Sequence, residues 1–299
     1  MLISLDFLGG ILKMNKLPNM FLAGASKSGT TSLAEYLKQH PEVFMPEVIG
    51  PNYFGEHPNG GFPKFFKNKK KYLSLYKKVK DEKVLSDISH LLQSESAPKA
   101  IIKFNSKAKI VITLKNPLKA IYSHYKDPFY HPIPDSCSFE DFINWQPDEY
   151  SLAHENVKYS RNIKRYFKVF PKNQIHFIIF EDFIKNPELG YRKLCEFLDI
   201  DAGFVPSFEK HNQNRIYKNK WLMSIIKFTS VGLRVFFKEH VPEPVKLGVQ
   251  NFIQKVITKK KIKNKMDPEL ERRLFLKFDK EIKTVEKLLN KNLDCWRPK

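Results

Sequence analysis

Cysteine is scarce in this chain: Cys137, Cys195 and Cys295 are the only three among 299 residues. An odd number at wide spacing excludes a disulfide framework and points to a reducing compartment. Each is read as a small buried hydrophobe. Long apolar runs are also missing, so no segment reads as a membrane span of about 18 or more residues. Residues 1–16 read as an N-terminal extension. The part from Met1 to Leu12 is apolar but carries Asp6 and lacks the early positive charge of a signal peptide. A soluble, cytoplasmic protein is therefore expected. Acidic residues are in deficit, 32 Asp+Glu against 52 Lys+Arg, which leaves a net charge of +20. That balance suits an anionic ligand, an acidic polymer or peripheral contact with an anionic inner membrane surface. The excess is mostly lysine, a poor fit to bidentate base reading. No zinc-finger spacing or RNA-binding aromatic pattern accompanies it, so neither nucleic acid nor a metal is expected.

One further absence is local. Residues 21–33 read Phe-Leu-Ala-Gly-Ala-Ser-Lys-Ser-Gly-Thr-Thr-Ser-Leu. Gly24 and Gly29 have the spacing of a phosphate-cradling P-loop. The residue after the second glycine is Thr30, where a nucleotide-triphosphate loop needs lysine. The lysine sits inside the loop instead, at Lys27. The first N–H groups of a helix have no intrahelical partner, and the helix dipole adds partial positive charge there. Together they form an anion site. Lys27 adds a full charge, and Thr30 and Thr31 add hydroxyl donors. The plainer reading is a strand–turn–helix with a surface lysine.

What is present is enough for a sizeable core: 42% hydrophobic residues, with 25 Phe. Strands are predicted at 18–24, Val84–Ile88, Ala108–Leu114 and Gln174–Phe180. Helices are predicted at 30–39, Ala97–Phe104, Pro117–Tyr125, Glu155–Phe170 and Pro187–Leu198, the last capped by Asn186. Residues 64–80 read as a basic amphipathic helix, with Lys64, Lys67, Lys69, Lys70 and Lys71 beside Phe65, Phe66, Tyr72, Leu75 and Tyr76. Residues 41–63 and 127–150 read as loop. Strands alternating with helices imply an α/β, doubly wound, mainly parallel sheet flanked by helices. One domain over 17–299 is expected. It includes a basic helical insert at 221–265, with the Lys259–Lys265 run. After Pro268, Leu270, Leu274, Phe278, Ile282, Val285 and Leu289 recur at helical spacing and read as a core-facing stripe. Ligands of such sheets bind outside the carboxyl ends of the strands, where Lys27 and Lys115 both lie.

A second anchor reads Leu-Lys-Asn-Pro-Leu-Lys-Ala-Ile-Tyr-Ser-His-Tyr over 114–125. A cation at a strand end, a helix opened by Pro117 and a serine further on can converge on one phosphate. The alternative is an exposed lysine and a packing serine. Together the two anchors resemble the PAPS-dependent sulfotransferases, of the bacterial and heparan-sulfate type. Lys27 to Leu33 is similar to that family's 5′-phosphosulfate loop, and Lys115-Asn116-Pro117 through Tyr125 to its 3′-phosphate motif. His40-Pro41, Phe44-Met45-Pro46, Pro51-Asn52-Tyr53-Phe54, Ala97-Pro98, Phe180-Glu181-Asp182-Phe183, Phe197-Leu198 and Leu293-Asp294-Cys295-Trp296 extend the likeness over about residues 17–297.

The resemblance implies a P-loop fold and 3′-phosphoadenylyl sulfate (PAPS) as co-substrate. It implies a hydroxyl- or amino-bearing glycan, glycolipid or other acceptor, and roles by position. Lys27 would contact the bridging oxygen and the sulfuryl group. The backbone N–H groups of Ser28, Gly29, Thr30, Thr31 and Ser32 would hold the 5′-phosphate, with the Thr30 and Thr31 hydroxyls. Lys115, where arginine is usual, and Ser123 would hold the 3′-phosphate, with Lys218 as a further cation. The loop before Phe54 departs from the pattern. The family reads Lys-Glu-Pro there, its glutamate being the base; this chain has Ile49, Gly50 and Pro51. His90, then Asp87, then Glu47 are the candidate replacements, and a structural histidine is the plainer reading of His90. A protein that binds the nucleotide without turnover, and a P-loop kinase, are the competing functions. Thr30 argues against the kinase.

Overall fold

Strands buried on both faces read as near-continuous apolar runs, and the central strands here are of that kind. The structure, a computed structural model, describes residues 17–48, 50–55, 66, 68–126, 136–144, 152–209, 216–217, 258–259 and 266–298. Strand β1 (Met20–Gly24) is buried at every position. It is flanked by β3 (Val84–Ile88) and β4 (Lys109–Leu114), with β2 (Val43–Phe44) and β5 (Ile175–Ile179) outside them. The five-stranded order is β2-β3-β1-β4-β5, and every pairing is parallel.

The strand period of two divides the side chains between two cores. Phe21, Ala23, Ile110, Ile112 and Leu114 enter one cluster; Met20, Leu22, Val111 and Ile178 enter the other. Helices α1 (Thr30–Leu37) and α9 (Pro187–Leu198) cover the second. Helices α3 (Ala97–Phe104), α4 (Pro117–Tyr125) and α7 (Tyr159–Phe167) cover the first, with α10 (Pro268–Phe275) and α11 (Asp279–Leu289). The mainly parallel α/β sheet flanked by helices is the expected architecture, and Asn186 caps α9 by accepting from the Leu189 N–H.

Several local expectations change. The 41–63 loop contains β2, a two-residue edge strand too short to show a period. The basic helix expected over 64–80 is, where described, one helical turn, α2 (Lys69–Leu73), followed by a 3-10 turn at Ser74–Tyr76. Tyr72 is buried and Lys69, Lys70 and Lys71 are exposed. The 127–150 loop contains α5 (Phe139–Asn144). A capping box was legible there: Ser138 and Asp141 each accept the other's backbone N–H at 3.1 Å. The helix expected over Glu155–Phe170 is two, α6 (Leu152–Asn156) and α7. The Asn162 side chain takes the Glu155 carbonyl at the break. Phe180 opens helix α8 (Phe180–Lys185) instead of ending β5. The stripe after Pro268 is split between α10 and α11, with Leu276 exposed between them.

Of the expected helical insert at 221–265, Thr258–Lys259 is described, and Ile216–Tyr217 is described just before the insert. They pair as antiparallel strands, as their β-branched and aromatic residues favour. The rest of 221–265, Lys218, Lys64, Lys67, Ile49 and residues 1–16 lie outside the described residues. Among the described residues no helix is long and apolar enough to cross a membrane.

Candidate active site

Four segments leave the sheet at its carboxyl edge: Ala25–Gly29 after β1, Ser89–Leu92 after β3, Lys115–Asn116 after β4 and Phe180–Glu181 after β5. The first begins with backbone that few residues adopt. Gly24, Lys27 and Gly29 have φ of 132°, 62° and 85°. Glycine takes such angles without penalty, whereas a lysine there costs about 1–2 kcal/mol. The neighbouring strand over-determines the loop. The Ala25 N–H donates to the Thr113 carbonyl at 2.6 Å, and the Thr113 hydroxyl donates to the Gly24 carbonyl at 3.1 Å.

Asn156, fully buried at the end of α6, grips the same loop from both sides. Its Oδ1 accepts the Ser26 N–H and its Nδ2 donates to the Ser26 carbonyl, each at 2.9 Å. Gln93 donates to the same Oδ1. Nothing in the sequence singles out Asn156, because its partner is 130 residues away.

Helix α1 starts after Gly29 with no side-chain cap. The N–H groups of its first turn are therefore available to an anion. Thr31 is exposed and Thr30 and Lys27 half-buried, whereas Ser28 is buried with its hydroxyl beside Tyr159. The Ser32 hydroxyl bonds the Tyr36 phenol. Gly29 is packed as well as twisted: a Cβ there would meet the Phe180 ring at 2.8 Å.

Lys115 follows β4 and converges on the same edge. Its Nζ donates to the Ser123 Oγ at 3.3 Å and lies over the Phe180 ring, 5.1 Å from its centre. Burial lowers its pKa; Glu181 works in the opposite direction, and Lys119 and Lys27 lower it further. The Phe180 ring under Lys115 is the same ring that Gly29 packs against, so the loops carrying Lys27 and Lys115 meet at one side chain. The backbone of Lys115 is fixed by Tyr159, whose hydroxyl donates to its carbonyl at 3.0 Å. Burial pushes that phenol well above its ordinary pKa, so it stays a donor.

The three candidate bases are placed very differently. Asp87 is fully buried within the sheet. It accepts the Tyr72 hydroxyl at 2.6 Å and the Ser89 hydroxyl at 2.5 Å. Burial raises its carboxyl to about 6, against the lowering effect of those two bonds. The Ser89 oxygen in turn accepts the Asn52 N–H at 3.2 Å, so Asp87 braces the loop that contains Gly50. Glu47 is exposed, pairs with Lys78 at 2.8 Å, and lines a shallow pocket with Ala34 and Lys38 on the flank of α1. His90 is half-buried at the carboxyl edge. Its neighbours Ser89, Leu91 and Leu92 donate backbone N–H groups to Leu22 and Ala23, directly before the phosphate loop. Gly50 has φ 76°, donates its N–H to the Ile88 carbonyl at 2.7 Å, and faces open space where a side chain would be. His124, 1% exposed, packs inside α4. Among the described residues no cluster of metal-ligating side chains occurs.

A family model described as "Sulfotransferase domain" matches residues 17–286. The chain is 24% identical over 197 residues to a Caenorhabditis briggsae bifunctional heparan sulfate N-deacetylase/N-sulfotransferase 1, covering 62% of this chain and 23% of that protein. It thus spans under a quarter of that relative's length. In structure it is similar to a sulfotransferase from Alicyclobacillus acidocaldarius, with a TM-score of 0.65, 23% identity, and coverage of 94% of this chain and 99% of that one. It is similar also to a mouse sulfotransferase complexed with PAP, with a TM-score of 0.50, 17% identity, and coverage of 96% and 93%. At these identities the two structures establish the fold.

Two outcomes follow from the site's packing. Gly29→Ala should destabilise the protein by about 1–3 kcal/mol, through a strained φ and the collision with Phe180; denaturant unfolding measures it. Asp87 has a folded-state pKa above its unfolded value of 3.8. At this group the folded state therefore holds more protons than the unfolded state from about pH 4 to pH 6, and its contribution to stability falls as pH rises through that window. The slope of that contribution stays below about 1.4 kcal/mol per pH unit, the value for one whole proton. Asp87→Asn should flatten it, read from unfolding free energies across the same range.

Proposed function

The chain belongs to the sulfotransferase family, and from that premise we propose that it moves a sulfuryl group from PAPS to a hydroxyl or amino group of a glycan or similar acceptor. Adenosine 3′,5′-bisphosphate, PAP, is the product. The observation that carries this reading is the meeting of the Lys27 and Lys115 loops at the Phe180 ring. One cation sits inside a P-loop turn with an uncapped helix behind it, and the other is bonded to Ser123. A donor with both a 5′-phosphosulfate and a 3′-phosphate needs such a pair; a nucleoside diphosphate needs only the first.

In this reading the N–H groups of Ser28 to Ser32 and the Thr30 and Thr31 hydroxyls hold the 5′-phosphate, and Lys115 and Ser123 hold the 3′-phosphate. Lys218 belongs to the same proposal. Lys27 stabilises the charge that grows on the leaving phosphate oxygen as its bond to sulfur breaks. The acceptor oxygen or nitrogen forms the new bond to sulfur, and its proton passes to a base. Family usage puts a glutamate at position 50, where this chain has glycine. His90 is the replacement the geometry favours, since Asp87 is fully buried under Tyr72 and Ser89, and Glu47 flanks α1 beside Lys78. The heparan sulfate relative and the exposed Lys69, Lys70 and Lys71 support an anionic glycan acceptor. The same lysine surplus suits a cytoplasmic protein that touches an anionic membrane surface.

Gly50 favours one second reading, a protein that binds PAP without turnover. Two experiments separate them. PAP should raise the melting temperature well above any shift given by ADP, and equal shifts would remove the 3′-phosphate role of Lys115 and Ser123. In a transfer assay with labelled donor, Lys27→Ala should abolish product. His90→Ala should slow transfer about 10²-fold or more while PAP still stabilises the variant. No transfer by the unmodified protein to glycan, glycolipid or phenol acceptors would favour the binding-only reading.

A further inference from the structure

We propose that Glu181 is a positioning residue for donor recognition: its carboxylate locks the Lys115–Asn116 turn to the Trp296 segment, in the arrangement that presents Lys115 to a 3′-phosphate. The proposal rests on the donor reading above and concerns how this chain achieves it.

The two carboxylate oxygens serve two different segments. Oε1 accepts the Asn116 backbone N–H at 3.1 Å, and Oε2 accepts the Trp296 indole N–H at 2.8 Å. Asn116 closes the circuit. Its amide nitrogen donates to the Trp296 carbonyl at 2.5 Å, and its side-chain oxygen caps α4 by accepting the Lys119 N–H at 2.9 Å. Asn116 and Trp296 are 2% and 1% exposed, so water cannot stand in for a lost partner, and a broken bond strands a buried donor. Each of these bonds joins residues 65 to 180 positions apart, apart from the local cap.

The circuit surrounds the backbone of Lys115. Tyr159 holds its carbonyl and packs against Trp296, with ring centres 6.0 Å apart. The neighbouring Phe180 lies under the Lys115 ammonium and against Gly29. The dipeptide after β5 therefore touches both phosphate-facing loops. Glu181 also acts through its charge. It favours the cationic form of Lys115, against burial and the two neighbouring lysines, Lys119 and Lys27. Glu181 is not itself an anion ligand: its two oxygens accept N–H groups and offer no donor.

The test compares the full chain with Glu181→Gln, Trp296→Phe and the double variant, titrated with PAP and with ADP by calorimetry from about pH 7 to pH 10. Glutamine keeps the size but turns one acceptor into a donor facing an N–H. Glu181→Gln should weaken PAP binding about tenfold and ADP binding less than about threefold, the loss of one charged hydrogen bond that only the 3′-phosphate side feels. Its PAP affinity should also decline at a lower pH than that of the unmodified protein, because Lys115 loses the carboxylate that keeps it charged. Trp296→Phe should weaken PAP binding in the same direction. The double variant should resemble Glu181→Gln instead of summing the two losses. If Glu181→Gln does not fold, Trp296→Phe carries the same comparison. Equal losses for PAP and ADP, or unchanged PAP binding in the variants, would overturn the proposal while unmodified protein still prefers PAP. Unmodified protein that binds the two nucleotides alike would instead remove the donor reading, and the proposal with it.

Discussion

Two lysine-bearing loops meet at one aromatic ring, Phe180, on the carboxyl edge of the sheet. Lys27 sits in a left-handed turn and Lys115 at a strand end, and the charge of Lys27 works against that of Lys115. Left to local preference, both side chains would swing into water. The scaffold prevents this by fixing backbone. Asn156 and Thr113 hold the first loop, and Tyr159 and Asn116 hold the second. Opposing charge is kept one layer back, on Glu181, and the ring of Phe180 supplies a polarisable face under Lys115. Preorganised repulsion of this kind is what a dianionic ligand relieves on binding.

The side of the site around Gly50, where the proposed acceptor would stand, is built from different physics. Its loop is braced by a buried carboxylate, Asp87, through Ser89 to Asn52, with Tyr72 stacked on Tyr53 at 4.4 Å between ring centres. Aromatic packing there keeps the carboxylate dry, and dryness raises its pKa. The position that holds a glutamate in the resembling family is an open glycine turn. His90 lies two residues after Ile88, whose carbonyl accepts the Gly50 N–H, on backbone pinned to β1. The two halves of the site thus differ: the Lys27 and Lys115 loops are over-determined by hydrogen bonds, and the Gly50 side has a rigid floor and an open wall.

Much of the fold was legible because its signals are local. β1, β4 and β5 are largely apolar stretches of the length a buried parallel strand needs, and Pro117 and Asn186 mark helix starts that the backbone observes. The misses were of two kinds. β2 and α5 are short, and of these only α5 carried a chemical mark, its Ser138–Asp141 box. The breaks within 155–170 and after Phe275 depend on what a side chain finds across the structure, such as Asn162 at the Glu155 carbonyl. Periodicity holds no trace of that.

The sequence by itself determined the chemistry on offer. The spacing of Gly24, Lys27 and Gly29, together with Lys115 and Ser123, specifies a loop and a cation pair, because turn geometry and charge reside in individual residues. Tertiary structure alone decided which side chains could act together. It buried Asp87 under tyrosine and serine, left Glu47 to a surface lysine, and brought Asn156, Glu181 and Trp296 to loops far away in the chain. Burial and long-range hydrogen bonding are properties of packed neighbours, and the order of residues along the chain does not name those neighbours.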